Sequence, residues 1–205
     1  MGNSLTTVTI VINQNQKMSD SDFYKHSCWI YEKRLPNNIC DLLIEEFKNQ
    51  KFEYGSIIQN YEVLPEKRNV KTVPISLDHW CNGIAMYYGF DANFANFKYN
   101  ISEFESLQFL SYEEGMFYVV HNDVSPYVKD ISHRRKLTVI IQLSDKNDYT
   151  GGDVILYDSG LNPEIMSREK GTIIVFNSAI THCVSKVITG TRYSLCGWLL
   201  GPPFS

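Results

Sequence analysis

The chain has no run approaching the ~20 consecutive apolar residues that a bilayer-crossing helix requires, so no membrane span is expected. It also lacks a cationic excess: 19 Lys and Arg stand against 23 Asp and Glu, a formal charge of −4. A chain so balanced has no overall attraction to phosphate backbones, and no nucleic-acid partner is expected. The one basic cluster, His133-Arg134-Arg135-Lys136, reads as a solvated strand entry. The five cysteines, Cys28, Cys40, Cys81, Cys183 and Cys196, include no C-x-x-C pair. An odd, scattered set fits reduced thiols and a cytoplasmic location better than a disulfide framework. A charged leader ahead of an apolar segment is missing too, and so is any internal repeat.

What is present suits one domain with a substantial core, since the 205 residues are too few for two comfortable ones. We divide the chain into residues 1–22, a short strand (Val8 to Ile12) with a polar linker, and a domain over 23–205. Gly2 and Thr6 fit a myristoylation pattern, but no basic cluster follows to supply a second membrane signal. Trp29 to Tyr31 reads as a strand, and Pro36-Asn37-Asn38 starts an amphipathic helix with Ile39, Leu42, Leu43 and Phe47 on its core face. The pattern predicts a second helix from Leu77 to Tyr88, capped by Ser76 or Asp78, turning Trp80, Ile84 and Tyr87 inward. His79 and His26 read as surface or supporting groups.

After Phe94 the pattern becomes short strands between turns, predicted at Asn96–Ile101, Leu107–Tyr112, Met116–His121, Leu137–Leu143, Asp153–Tyr157, Thr172–Phe176, Cys183–Val187 and Tyr193–Leu200. Eight strands suffice for a jelly roll, so the fold class is mainly β with supporting N-terminal helices. The loops Val124–Ser132 and Asp158–Lys170 are long enough to carry binding residues.

The chemistry concentrates at Tyr112 to Asp123. His121 and Asp123 lie two residues apart at the end of a strand-like run, so their side chains share one face, about 7 Å apart along the strand. A third ligand must come from elsewhere, and His182 is the best-placed histidine. Two imidazoles and one carboxylate form the facial triad of non-heme Fe(II) oxygenases, with open coordination positions. His182 and Arg192 flank a predicted hairpin around Ile188 to Thr191. They share a face only with a three-residue loop or a bulge, for which Gly190 at positive φ is suited.

His121-Asn122-Asp123, Tyr112 and Tyr118 nine and three residues before that histidine, Tyr149-Thr150-Gly151-Gly152-Asp153, and His182 followed by Arg192 resemble the Fe(II)- and 2-oxoglutarate-dependent dioxygenases of the prolyl 4-hydroxylase-like superfamily. The resemblance covers about residues 25–203. It implies a double-stranded β-helix, and Fe(II), 2-oxoglutarate and O2 as cofactor and co-substrates. It also implies His121, Asp123 and His182 as catalytic metal ligands and Arg192 under the far carboxylate of 2-oxoglutarate, through two parallel charge-assisted hydrogen bonds. By matched position, Tyr112 and Thr138 would contact the co-substrate, while Tyr118 and Trp198 would line the prime-substrate side. Lys186, where the family usually has proline, and Asp153, where it often has glutamate, leave the subfamily open.

The carboxylate at position 123 leaves no slot for halide, which favours hydroxylation of an aliphatic C–H bond. A prolyl residue in a peptide or protein is the leading substrate; a free amino acid or other small molecule is the alternative. A non-catalytic jelly-roll module holding a structural metal is a third reading, although structural zinc sites normally close with four protein ligands.

Overall fold

The structure, a computed structural model, describes residues 27–55, 64–124, 134–159 and 161–203. The expectations for Gly2, the Val8 to Ile12 strand, His26, His133 and most of the Val124–Ser132 loop lie outside the described residues.

Two helices, α1 (Asn37–Phe47) and α2 (Cys81–Ala92), precede most of the strands. The early strands are β1 (Cys28–Tyr31), β2 (Glu53–Tyr54), β3 (Arg68–Asn69) and β4 (Lys71–Pro74). Then come β5 (Glu103–Tyr112), β6 (Phe117–His121), β7 (Arg134–Gln142), β8 (Tyr149–Gly151) and β9 (Val154–Tyr157). The last are β10 (Pro163–Ile165), β11 (Ile173–Asn177), β12 (His182–Val184), β13 (Val187–Gly190) and β14 (Arg192–Gly201).

A seven-stranded antiparallel sheet, ordered β1-β11-β7-β14-β5-β4-β2, faces a five-stranded sheet, β10-β9-β12-β6-β3, with a β13-β8 ribbon as a third element. This is the double-stranded β-helix the sequence predicts. The central strands of the larger sheet are covered on both sides, which is why β7 and β11 read as nearly unbroken apolar runs. Alternation still sorts their residues. Leu137, Val139 and Ile141 join the core under the helices with Leu107, Phe109, Leu195 and Leu199. Ile140, Leu110, Tyr112, Cys196 and Trp198 belong to the second core, between the sheets. Even-numbered positions of β7 and β14 therefore write the inner wall on which the site is built.

α1 forms where the sequence predicts it, burying Cys40, Leu43 and Phe47, but Leu42 is exposed. α2 begins at Cys81, four residues later than predicted. Asn82, in the first turn of α2, ties down the preceding segment, its side-chain amide donating to the carbonyls of Ser76, Leu77 and His79 while its oxygen accepts from Leu107 N–H. The delay changes the buried face: Cys81, Asn82, Ala85, Gly89 and Ala92 point inward, and Trp80 and Tyr87 point out. Gly89 allows this close approach, since a Cβ there would sit 2.5 Å from Leu199 Cδ1.

The strand predicted at Asn96–Ile101 is instead a π-turn (Asn93–Phe97) ending in left-handed Lys98. The basic cluster is not a solvated entry either: Arg135 pairs with Glu105 through Nε at 2.8 Å and again through Nη2. The Asp158–Lys170 segment holds β10 and is tied down by Glu169 with Lys33 and Lys146, and by Lys170 with Asp41. Among the described residues no helix is long and apolar enough to cross a membrane.

Candidate active site

His121 ends β6, and its direct cross-strand partner on β12 is His182. Facing residues of an antiparallel pair project together from one face, which brings the two imidazoles to 4.1 Å between ring centroids. Asp123 follows beyond the strand end, its backbone N–H fixed by Ser178 O at 2.9 Å. One ligand atom from each of His121, Asp123 and His182 lies within 4.8 Å of the others.

The hydrogen bonds around this trio set its chemistry. His121 Nδ1 faces Val119 O at 2.8 Å and His182 Nδ1 faces Ile180 O at 2.9 Å. A carbonyl can only accept, so each Nδ1 carries a proton, and a neutral ring in this tautomer turns an Nε2 lone pair inward. These Nε2 atoms lie 3.7 Å from Asp123 Oδ1 and 3.6 Å from Oδ2. Burial, reinforced by the neighbouring His182, lowers the His121 pKa to about 4, so this ring is neutral at neutral pH. Burial would raise the Asp123 carboxyl, but His182, His121, Arg135 and the Trp198 N–H outweigh it, and the pKa is lowered. Lone pairs and a buried carboxylate thus converge with no donor between them, an arrangement that a divalent cation fits.

Thr138 and Trp198 are opposite each other in the β7–β14 pairing. Both donate to the same oxygen, Asp123 Oδ2, at 2.7 Å from Thr138 Oγ1 and 3.0 Å from Trp198 Nε1. Among the described residues Oδ1 accepts no hydrogen bond, which leaves it for a ligand. The Thr138 hydroxyl, expected at the far end of a co-substrate, meets Asp123, and Trp198 lines the cavity with its indole N–H on the same carboxylate. Trp198 is itself covered by the Arg135 guanidinium, 3.6 Å from its ring.

At the other end of the cavity lies Arg192, 1% exposed. Its Nη2 donates to Gln142 Oε1, whose amide nitrogen donates to Tyr149 OH at 3.2 Å. Tyr112, the register partner of Arg192, places its ring 5.5 Å from the guanidinium carbon. Burial raises the Tyr112 pKa despite Arg68 and Arg192, keeping the phenol protonated. Gly151 and Gly152, at φ +68° and +65°, lead the ribbon past this corner, and a Cβ on Gly152 would come within 3.3 Å of Arg192 Cδ. Arg192 Nε and Ser194 Oγ are buried without a hydrogen-bond partner, and no carboxylate among the described residues reaches ion-pair distance of Arg192. A buried, uncompensated guanidinium is costly, so this corner is built for an anion.

The cavity joining the two ends is lined by Leu110, Ile140, Val184 and Cys196, with Tyr118 and Arg68 at one wall. Tyr118 stacks on His121 at 3.5 Å between centroids, and Arg68 lies 4.9 Å from the Tyr118 ring. The predicted hairpin between His182 and Arg192 does not form. β13 pairs with β8, His182 belongs to the smaller sheet and Arg192 to the larger, so the two face each other across the sandwich. Gly190 does take a positive φ, +77°, where a Cβ would meet Asp148 O at 2.0 Å. His79 lies away from the trio, between Glu46 Oε1 at 2.9 Å and Cys81 Sγ at 3.0 Å.

Sequence reasoning missed Ser194, Gln142, Arg68 and Cys196. The same-face rule that joins His121 to Asp123 also joins Arg192 to Ser194 and Cys196, and Gln142 was visible as a lone amide in an apolar strand. Arg68 carried no local signal.

Residues 107–200 match the family model of the 2OG-Fe(II) oxygenase superfamily. Among curated proteins, the chain is 32% identical over 66 residues to a PKHD-type hydroxylase of Synechococcus sp. (strain CC9605), covering 32% of this chain and 30% of that one. It is 35% identical over 69 residues to a PKHD-type hydroxylase of Prochlorococcus marinus (strain MIT 9215), covering 33% and 30%. The chain thus spans less than a third of the length of these two relatives. Among solved structures, a Pseudomonas putida prolyl-4-hydroxylase superposes with a TM-score of 0.70 at 20% identity, over 87% of this chain and 95% of that one. A Trichoplax adhaerens prolyl hydroxylase, solved with a hypoxia inducible factor peptide fragment, gives 0.67 at 17% identity over 88% and 86%. The match to the 2OG-Fe(II) oxygenase superfamily falls on the strands that carry the site, and the structural neighbours share the double-stranded β-helix fold. The family uses Fe(II), 2-oxoglutarate and O2.

Proposed function

We propose that this protein is an Fe(II)- and 2-oxoglutarate-dependent hydroxylase of an aliphatic C–H bond, with a prolyl residue in a peptide or protein as substrate. The carrying observation is the buried Arg192 with its unpartnered Nε beside Ser194 Oγ, across one cavity from a His-Asp-His set. A simple metal-binding module has no use for a buried cation facing the metal-ligand set, so this pairing argues against the inert reading.

In this proposal His121, Asp123 and His182 hold the iron, and the two donors on Asp123 Oδ2 direct the carboxylate to bind through Oδ1. Arg192, Ser194 and the Tyr112 hydroxyl receive the far carboxylate of 2-oxoglutarate. With both bound, the chemistry supplied is oxidative decarboxylation of 2-oxoglutarate by O2 to succinate and CO2, coupled to hydroxylation of the substrate. Leu110, Ile140 and Val184 exclude water, and Tyr118 offers an aromatic wall beside His121 for a saturated ring. The prolyl assignment draws on the prolyl hydroxylases among the structural neighbours and on this wall. We place the protein in the cytoplasm, a reading supported by its five free thiols, four of them buried.

Anaerobic titration with Fe(II) and 2-oxoglutarate, followed by succinate assay on admitting O2 with and without a proline-rich peptide, tests this reading. Peptide-stimulated succinate with hydroxyproline in the peptide is the expected result. Stimulation by free amino acids alone would replace the substrate, and metal binding without succinate under any condition would return the inert module.

A further inference from the structure

α2 is apolar on both faces. Cys81, Ala85, Gly89 and Ala92 are buried in the core, yet the opposite face carries Met86, Tyr87 and Phe90 into solvent, continued by Trp80 just before the helix and Phe94 in the π-turn after it, Tyr87 at 65% and Phe94 at 79% exposure. A surface helix ordinarily pairs one apolar stripe with a polar one, and an all-round apolar helix is normally covered. The outward residues Trp80, Gly83, Tyr87, Phe90 and Phe94 follow one another at intervals of three and four, the spacing of a helix-pairing seam.

Gly83 supplies a second, independent observation. It is exposed within the helix, has no positive φ, and a Cβ on it would meet nothing within 4 Å. Gly83 lies in the first turn of α2, glycine is a weaker helix former than alanine, and no contact among the described residues calls for it. A gap in an aromatic stripe lets another helix approach closely.

We propose that two copies of this chain associate through the outer face of α2, packed antiparallel about a two-fold axis near Tyr87. In that register Trp80 meets the partner's Phe94, Tyr87 meets the partner's Tyr87, and the partner's Phe90 fills the space over Gly83. Charge favours the antiparallel sense: exposed Asp78 lies at one end of the stripe and exposed Lys98 at the other, so the arrangement sets each against its opposite. With aromatic side chains offering roughly 150–250 Å² each, the exposed portions amount to about 350–580 Å² per copy. That is the size of a weak, reversible interface, under about 1,200 Å² in total.

The test is sedimentation of the full chain across a concentration series, with variants that leave the cavity untouched. The wild type is expected to reach a dimer, with Tyr87→Glu and Gly83→Gln monomeric at the same concentration. Gly83→Gln should melt no lower than wild type when compared as monomer, because glutamine is the better helix former; this separates lost association from lost folding. Tyr87→Cys should cross-link to itself under mild oxidation, and Phe94→Cys alone should not. A wild type monomeric at every concentration overturns the proposal, as does a dimer that survives both variants. A chain that dimerises only after residues 1–26 are removed also overturns it, since its own segment would then be the cover.

Discussion

The two ends of the cavity are built differently. Arg192 begins a ten-residue strand at the centre of the larger sheet, hydrogen-bonded along both edges, and is fully buried. His182 belongs to a three-residue strand whose pairing with β6 shifts register immediately beyond it, and Asp123 lies past the end of its strand. Rigidity at the anion end therefore comes from the backbone, whereas at the metal end it comes from side-chain hydrogen bonds to Asp123 and from two backbone carbonyls orienting the imidazoles. Substitutions at the first end should alter one ligand's affinity cleanly. Those at the second should spread through the trio.

The largest effect is expected from His182→Ala, which removes a ligand and should abolish retention of Fe(II) or Co(II) in anaerobic equilibrium dialysis and, with it, turnover. Arg192→Ala should leave metal retention intact while raising the Kd for 2-oxoglutarate at least about 100-fold, since an ion-paired buried carboxylate would lose about 3 kcal/mol or more. Arg192→Met sharpens the contrast. By removing an uncompensated buried charge it should raise the ligand-free unfolding free energy by about 1–4 kcal/mol, yet abolish the added stability that 2-oxoglutarate confers. Normal 2-oxoglutarate binding by either variant would take the co-substrate away from this corner.

Thr138→Val and Trp198→Phe each delete one donor to Asp123 Oδ2. Metal affinity should fall about 10–100-fold in each, with Thr138→Ser restoring most of it, as for groups that orient a ligand rather than bind the metal. Unchanged affinity in both would show that the carboxylate holds its geometry without them.

The smallest effect is a pH dependence of the metal-free protein. The His121 pKa is about 4 when folded against about 6.5 unfolded, so between those values the unfolded chain binds the extra proton. Stability should therefore be complete above about pH 6.5 and decline toward pH 4, by at most about 1.4 kcal/mol per pH unit. Denaturant titrations from pH 4 to 7 should show that slope in the wild type and lose it in His121→Gln. The lowered Asp123 pKa acts in the same direction only at still lower pH.

Much of the site was legible because its parts are local. The His121-x-Asp123 pair is legible from its spacing, although Asp123 lies just past the strand end, and the glycine pair from a turn that excludes Cβ atoms. The α2 boundary was not legible, because Asn82's hydrogen bonds reach Leu107, 25 residues away, and hold the preceding turn non-helical. Periodicity alone then turned Trp80 and Tyr87 inward, since an apolar residue carries no mark of which partner covers it. The hydrogen bonds of Thr138 and Trp198 to Asp123 were not legible for a related reason. Matched position identified the strands correctly, but not that the two residues stand opposite each other and reach one oxygen.

By itself the sequence determined the fold class and singled out the candidate metal-ligand set, because strand alternation and motif spacing act over a few residues and survive any arrangement of the rest. Only the tertiary structure decided that His182 is the cross-strand neighbour of His121, that Arg192 confronts them from the opposite sheet, and which donors hold Asp123. Those are facts of register between strands distant in sequence, set by long-range backbone pairing, on which a one-residue slip would turn every side chain to the other face.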